Sequence, residues 1–592
     1  MMNKKDITMN PTSIPHRIDY HHAELGDFFD KNRISPGKPQ SLKHRQLEKF
    51  LQKFAAEYPK DFKLEKLGGS VEDRSIYHVT MGHGPRTIMM WSQMHGNEPT
   101  ATNAIVDIFN FLLTARESEF VREILDGATI HFIPMLNPDG SEVFLRRNAQ
   151  GLDLNRDARE LASPEARILK GIYDRLKPEF GLNLHDMNGR RTIEVTNKLI
   201  AIALLVPPYD ENKNNNPARI DAKRLASVMQ QALSPYIYEH ISRYDADYMP
   251  SSFGDNFQSW GMRTVLLETG GWYQDGPEFL VKLNFIAILE ACHAIATESY
   301  QHANPGLYDA LPLYDKELFD LMIKRAKILD GSNPEPFSCD LGVNFIESVQ
   351  NGKIVHNGVF TDIGDMRNFT AKQEIDGSEL LVLPGLIGLL PPDCTDRILD
   401  DSLIQDYMKR GYTTLLVEYD LQRNDRLKNK IEQLKKTALR INVGYVVSMD
   451  TLANIPLNEQ ATALGDALAD GAIAVLEYEN EAHEYHPLTE KIVNWLHMPR
   501  FKTKQIRANK NWVEMLQSYD TTKSAKHVLK KGILGRGRIR INDTADLVVF
   551  KLQEKKKKID VSGPEYVFIN GRMAYSRNEN DTLVKAGLVI HR

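Results

Sequence analysis

A histidine and a glutamate stand three residues apart at a point where an apolar run gives way to a helical pattern. The run at 87–91 is typical of a buried strand, and apolar residues from 105 to 113 recur at helical spacing. His95 and Glu98 lie between them, and Pro99 suits a first helical position. Because ligands bind beyond the carboxyl ends of strands in an open α/β sheet, both side chains are candidates for chemistry.

Three other polar stretches also follow apolar, strand-like segments. They are NPDG with RRNAQGLDLNRD at 137–157, His185 within NLHD, and Glu268 within LLETGG. Parallel strands would bring all of these loops to the same edge of one sheet.

Two histidines and one carboxylate form a donor set that catalytic zinc sites use, with the fourth position left open for water. Bound zinc lowers the pKa of that water to about 7, and Glu268 could then act as its general base. An H-x-x-E pair alone is a weak signal, since such pairs also occur by chance on helix faces. The motifs taken together in this order are specific, and they predict a zinc site.

The composition excludes several classes of protein. The chain has 592 residues, 42% hydrophobic and 26% charged, as in a soluble globular protein of two or more domains. A net charge of −5 gives no reason to expect a nucleic-acid partner, and the three cysteines form no metal or disulfide pattern. No secretory signal and no apolar run near the roughly 20 residues of a membrane span is visible, so we expect a cytoplasmic protein without a membrane partner.

The organisation of the chain indicates two different halves. From about 45 to 300, strand-like runs alternate with helical patterns, which predicts an α/β fold with a mostly parallel sheet and helices on both faces. We assign 1–302 to this domain. The segment 303–318 contains proline and glycine and is interpreted as a linker.

The motifs quoted above resemble those of the zinc carboxypeptidase family, which contains carboxypeptidase A, over roughly residues 45–300. The resemblance implies a carboxypeptidase-like mixed sheet with helices on both faces. It also implies one zinc ion per chain, bound by His95, Glu98 and His185, with Glu268 as the general base.

Further roles follow from the same resemblance. Arg146 falls on the arginine that stabilises the oxyanion, with its neighbour Arg147 as the alternative. Asn155 and Arg156 fall on the pair that binds the terminal carboxylate of the substrate. Asp153 falls on the carboxylate that orients the first zinc histidine.

The family also has a mobile tyrosine that contacts substrate, about twenty residues before the general base. Tyr248 is the candidate for this role, and Tyr244 is close enough to compete. HGNE and DLNR also occur in related aspartoacylase-like deacylases, whereas NPDG and the acid of LLETGG favour the peptidase branch.

The second half, 319–592, contains FDLMIKRAKILDGSNPEPFSCDLGV near its start, and KGILGRGRIRINDTADLVVFKL and EYVFINGRMAY near its end. These segments resemble the opening and closing segments of amidohydrolases of the D-aminoacylase and dihydroorotase type. The resemblance implies a small β-sandwich from 319–382 and 539–592, with a truncated (β/α) barrel-like insert at 383–538. The metal-binding motif of that family does not survive, because Gly388, Leu390 and Pro392 stand where its aspartate and two histidines belong. We therefore interpret this half as a degenerate domain that shapes the cleft or mediates association, including a homo-oligomer.

The sequence thus predicts a zinc-dependent hydrolase of carboxypeptidase type. It would cleave an amide bond next to a free C-terminal carboxylate by metal-activated water, with a peptide or an N-acyl amino acid as the substrate. One alternative is a deacylase of N-acyl amino acids, or a cell-wall peptide amidase, with the same zinc site. Others are a zinc-binding scaffold without turnover and an activity located in the second half.

Overall fold

The structure is a computed structural model, and it describes most of the chain between residues 20 and 576. The gaps in this range are 195, 246, 273–275, 329–335, 351–352, 379, 391–400, 411, 420, 422–428, 430, 432–440, 478–484, 497–499, 503–544, 554–557, 560–563, 565 and 570–571. The chain divides into two compact units, of which the first is Met1–Leu318 with Val349–Ile354 and the second is the remainder.

The first unit is an α/β domain. Its described helices are α1 His22–Asn32, α2 His44–Glu57, α3 Thr100–Thr114, α4 Glu119–Gly127, α5 Pro138–Val143, α6 Pro164–Leu176, α7 Pro217–Ile237, α8 Phe253–Ser259, α9 Glu278–Ala296 and α10 Gly306–Asp309. Its described strands are β1 Lys63–Gly69, β2 Ser75–Gly82, β3 Arg86–Ser92, β4 Ala128–Ile133, β5 Phe180–Asp186, β6 Arg191–Ile193, β7 Ile202–Leu205, β8 Ile241–Arg243, β9 Arg263–Thr269 and β10 Tyr314–Glu317.

Eight of these strands form one mixed sheet in the order β1-β2-β4-β3-β5-β9-β7-β8. The central strands β4, β3, β5 and β9 are parallel to their neighbours in this series. Strand β7 pairs antiparallel with β9, and β2 pairs antiparallel with β4. The parallel centre explains why four loops meet at one edge.

Alternate side chains of β3 pack on opposite faces of the sheet. Ile88 and Met90 belong to a core with helices α3, α7 and α9, while Met89 and Trp91 belong to a second core with α6 and α8. A strand covered on both faces reads as a continuous apolar run, which is the pattern seen at 87–91. The predicted α/β class with helices on both faces is confirmed.

Helix α9 is the most apolar of the long helices in this unit. It is the one helix of the described residues that is long and apolar enough to cross a membrane by length and composition, and 78% of the relevant window is buried in the structure. Such burial is typical of a core helix, and α9 indeed packs on α3 and α7.

The segment that we interpreted as a linker has regular structure. Residues 303–318 include α10 and β10, and β10 pairs antiparallel with β6 through Tyr314 and Ile193. The hydroxyl of Tyr308 in α10 accepts a hydrogen bond from the backbone N–H of Val206 at 2.9 Å. These contacts attach the segment to the first unit.

The described residues of the second unit form two sheets. Its described strands are β11 Phe319–Ile328, β12 Phe337–Gln350, β13 Lys353–Gly364, β14 Ala371–Asp376, β15 Leu380–Pro384, β16 Leu386–Leu390, β17 Tyr412–Tyr419, β18 Asn442–Ser448, β19 Ala474–Glu477, β20 Arg500–Lys502, β21 Leu547–Gln553, β22 Lys558–Ile559, β23 Tyr566–Ile569 and β24 Arg572–Ser576. Its described helices are α11 Asp401–Lys409, α12 Met449–Ala453, α13 Gln460–Asp470 and α14 Pro487–Trp495.

The two ends of this unit pair with each other. Strand β15 runs antiparallel to β21, so a nine-stranded sheet includes segments before and after the insert. Between them, β16 to β20 form a parallel five-stranded sheet. Sheets of this kind accord with the expected sandwich and barrel-like insert. Pro392, one of the three positions that the sequence analysis compared with the amidohydrolase motif, lies outside the described residues.

Candidate metal centre and pocket

The carboxyl ends of the parallel strands hold the predicted residues. His95 and Glu98 follow β3, while His185 and Glu268 lie near the ends of β5 and β9. In the ladder between these two strands, His185 is the direct partner of Glu268. Backbone pairing therefore fixes the separation of these two side chains.

Three of the predicted residues converge on one point. The Nδ1 atoms of His95 and His185 are 3.2 Å apart. His95 Nδ1 lies 2.7 Å from Glu98 Oε1, and His185 Nδ1 lies 2.7 Å from Glu98 Oε2. All three side chains are buried, and they form one of the groups able to hold a metal ion among the described residues.

The donor set fits zinc. Two imidazole nitrogens at about 2.0–2.1 Å from a tetrahedral ion lie roughly 3.3 Å apart, close to the separation observed between the two Nδ1 atoms. Two facing imidazole nitrogens cannot both carry a proton, whereas a cation satisfies both lone pairs. Neutral imidazole and carboxylate are donors that zinc accepts, and three protein donors leave a fourth position.

The charges around this point are strongly coupled. Burial opposes ionisation of Glu98, but the neighbouring His95 and His185 outweigh it and lower the pKa of this carboxyl to about 2. Burial and the negative charge of Glu98 raise the pKa of Glu268 to about 8. Burial and the charge of Glu98 also raise the pKa of Asp186, to about 7. A divalent cation would offset the negative charge that these carboxylates share.

Asp153 connects His95 with an arginine. Its Oδ1 lies 3.1 Å from His95 Nε2, and its Oδ2 accepts a hydrogen bond from Arg146 Nε at 3.0 Å. These two groups hold the pKa of Asp153 well below its usual range although burial opposes them. A carboxylate on the second nitrogen of a metal-binding histidine fixes the ring and its tautomer.

The structure distinguishes Arg146 from its neighbour. Arg146 Nη1 donates a hydrogen bond to Glu98 Oε1 at 3.3 Å, and Arg146 lines the pocket beside the three donors. Arg147 donates instead to the carbonyl of Gly151 at 2.9 Å and is exposed. The loop that carries both is held by Asn137, which caps α5 and donates to the carbonyl of Arg146.

Asn155 and Arg156 also line the pocket. The Oδ1 atom of Asn155 accepts hydrogen bonds from Ser252 Oγ at 3.1 Å and from the backbone N–H of Phe253 at 3.3 Å. Since its oxygen is occupied, the amide nitrogen is left as the donor. Arg156 donates to the carbonyl of Asn155 at 2.7 Å and is exposed.

The two tyrosine candidates occupy different places. The hydroxyl of Tyr248 lies 3.3 Å from Ser259 Oγ, and Tyr248 is not among the residues that line the pocket, although its neighbours Asp247 and Met249 are. Tyr244 is part of the pocket wall, and its hydroxyl accepts a hydrogen bond from Arg191 at 2.8 Å. The structure thus brings the alternative candidate, and not Tyr248, to the pocket.

Arg191 is a pocket residue that the sequence analysis missed. Its guanidinium lies 4.6 Å from the ring centre of Tyr314 and 5.6 Å from that of Tyr244. The pair of basic residues in NGRRTI, shortly after His185, was the signal that could have found it. The pocket has a volume of about 470 Å³, and its other lining residues are Asp186, Met187, Asn188, Leu205, Asp247, Met249, Ser252, Asp255 and Leu266.

Comparisons with known proteins relate part of this chain to one family. Residues 47–271 match the family model described as zinc carboxypeptidase. Carboxypeptidase D of Rattus norvegicus is 30% identical over 246 residues, which cover 38% of this chain and 17% of that protein. A probable carboxypeptidase 2 of Trichophyton verrucosum is 30% identical over 109 residues, which cover 18% of this chain and 21% of that protein. The match thus spans far less than two thirds of these relatives.

Solved structures give weaker similarities. A metallo-carboxypeptidase from Burkholderia cenocepacia has 18% identity and a TM-score of 0.34, covering 43% of this chain and 69% of its own. Carboxypeptidase A from Helicoverpa armigera has 15% identity and a TM-score of 0.36, covering 47% and 79%. Residues 47–271 thus match the zinc carboxypeptidase family model, within the part of the chain for which the sequence analysis noted the resemblance.

Proposed function

We propose that this chain is a zinc-dependent carboxypeptidase-type hydrolase that removes a residue with a free C-terminal carboxylate from a peptide. One observation carries the proposal. The three donors His95, Glu98 and His185 open onto a pocket whose wall also includes Glu268 and Arg146.

When bound to these donors, zinc supplies a Lewis acid that acidifies water and polarises the amide carbonyl. Glu268 takes the proton of the attacking water and passes it to the leaving amine. Its carboxylate is well placed for this exchange, because its strand partner is His185. Arg146 donates to the oxygen on which negative charge develops, and Asp153 holds its guanidinium in position.

The free carboxylate of the substrate is bound by Asn155 and Arg156. A guanidinium binds a carboxylate with two parallel hydrogen bonds, and the amide nitrogen of Asn155 adds a further donor. Ser252 and Phe253 hold that amide by its oxygen, so its orientation is fixed before the substrate arrives. Binding of the carboxylate then selects the last peptide bond for cleavage.

The test compares matched peptides with a free and an amidated C terminus. We expect hydrolysis of the free form only, and the Glu268→Gln variant should lose a factor of about 10²–10⁴ in kcat while it retains zinc. Glu211→Gln, which removes the same charge from an exposed loop, serves as the matched control.

Two results would refute the proposal. Equal cleavage of both peptides would show that the carboxylate is not recognised, and unchanged turnover in Glu268→Gln would exclude this residue as the base. A panel of N-acyl amino acids, run in parallel, tests the deacylase alternative. Preference for that panel over every peptide would replace the peptidase proposal.

A further inference from the structure

The most apolar helix of the first unit contains a buried carboxylate and a buried imidazole. Glu290 and His293 lie in α9 and are 1% and 8% exposed. Burial of a charged carboxylate is unfavourable unless the group is paired or binds a metal. Among the described residues, no lysine or arginine neutralises Glu290, whose hydrogen bonds come from the backbone N–H groups of His21 and His22.

A second histidine reaches the same place from the N-terminal segment. His21 immediately precedes α1, and its backbone N–H donates to Glu290 Oε1 at 2.6 Å. Its ring centre is 5.1 Å from that of His293. Donor atoms of His21, Glu290 and His293 all lie within 4.8 Å of one another. The Nδ1 atom of His21 is buried without a hydrogen-bond partner.

A fourth side chain completes the group. Glu123 Oε2, on α4, lies 2.8 Å from His293 Nε2. A carboxylate in this position orients a metal-binding histidine, or it adds an oxygen donor when the histidine turns. Phe120 packs against both rings, with centroid distances of 4.6 Å to His21 and to His293. Phe120 thus covers one part of both rings with an apolar surface.

We propose that His21, Glu290 and His293 form a second metal site, separate from the pocket, that binds a divalent cation of the zinc type. Two imidazoles and a carboxylate are a zinc donor set, and with Glu123 as the fourth donor the site would be closed by protein, as structural zinc sites are. The spread of the donors, up to 4.8 Å, requires the side chains to close on the ion.

The ion would attach the N-terminal segment to the core helix. Tyr236 donates a hydrogen bond to the carbonyl of His22 at 2.8 Å, and Leu25 and Phe29 of α1 pack in the same core as α9. A metal that binds residues from α9 and from the start of α1 joins positions 21 and 290, which are distant in sequence. Because the unfolded chain lacks the assembled site, binding would raise the thermal stability of the first unit.

The experiment uses the full chain with His95→Ala, so that the pocket no longer provides its three donors. Zinc per chain is measured after chelation, reconstitution and gel filtration, and Tm is measured across a zinc titration. Adding Glu290→Gln or, separately, His21→Gln should remove one equivalent of zinc relative to the parent. It should also abolish a zinc-dependent Tm increase of about 4 °C at 100-fold excess over Kd.

His83→Gln is the matched control, since this histidine is 79% exposed and lies outside the group. It should change neither the zinc content nor the Tm response. An unchanged zinc content in both the Glu290→Gln and His21→Gln proteins would overturn the proposal, as would a parent whose Tm does not respond to zinc. His21 is only partly buried, so His21→Gln keeps the test decisive if Glu290→Gln does not fold. The readouts do not depend on peptidase activity.

Discussion

The replacement of Asp153 by asparagine tests how the metal centre is supported. Asp153 binds three groups: His95 Nε2 at 3.1 Å, Arg146 Nε at 3.0 Å and the backbone N–H of Asn155 at 2.9 Å. Asparagine has nearly the same shape but only one oxygen. When that oxygen accepts from His95 and Asn155, its NH₂ group faces the guanidinium of Arg146, and two donors oppose each other.

The expected loss has two parts. Removal of a carboxylate that orients a metal-binding histidine typically weakens metal affinity about 10–100-fold, which corresponds to about 1.4–2.7 kcal/mol. Displacement of Arg146 adds a decrease in kcat at saturating zinc, because the guanidinium is no longer held beside the pocket. Zinc affinity is measured by competition with a fluorescent chelator, and kcat is measured on the preferred peptide.

Glu160→Gln is the control, because it removes the same charge from an exposed position in the same loop. We expect its zinc affinity and kcat to match those of the parent protein. If Asp153→Asn binds zinc within a factor of two of the parent, Asp153 does not orient His95, and the support inferred from its contacts is refuted.

Three further variants test other parts of the structure. Arg146→Met should retain zinc and lower kcat by about 10²–10³, and unchanged kinetics would exclude it as an oxyanion donor. Gly96→Ala would place a Cβ 2.0 Å from the carbonyl carbon of Gly140. Unfolding titrations should therefore show that the free energy of unfolding falls by at least about 1–3 kcal/mol. An unchanged free energy of unfolding would contradict that close approach. Burial, together with His78, lowers the pKa of His131 to about 4 from about 6.5. Because the unfolded chain then binds a proton that the folded protein does not, the free energy of unfolding should fall as the pH drops from about 6.5 to about 4. His131→Gln should flatten this dependence. Identical pH profiles for the parent and His131→Gln would refute the last expectation.

Much of the metal centre could be predicted because its residues follow short, fully buried strands. The apolar run at 87–91 and the segment before His185 are each covered on both faces, so their ends are visible in the sequence. The parallel order of β3, β5 and β9 then brings the ends together. Local sequence patterns, together with the rule that ligands bind at the carboxyl ends of parallel strands, were sufficient to predict which residues meet.

Other features depend on pairings that local patterns do not specify. The position of Arg191 depends on β6, which pairs with β10 more than a hundred residues later in the chain. The same pairing explains why the expected linker has regular structure. The choice between Tyr244 and Tyr248 depends on the path of the segment after β8, where Tyr244 donates its backbone N–H to the carbonyl of Leu204. Such long-range contacts leave little trace in residue type or spacing.

The ladder partnership of His185 and Glu268 has a consequence for how this chain can change. Main-chain hydrogen bonds set the distance between the imidazole of His185 and the carboxyl group of Glu268. The connecting loops can therefore lengthen, shorten or exchange residues without altering that distance. A single inserted residue within β5 would instead turn every later side chain of that strand to the opposite face, His185 included. Changes in the loops therefore need not disturb the paired side chains, whereas insertions in the strands would. We expect the loops around the pocket to vary and the strands beneath them to keep a constant length.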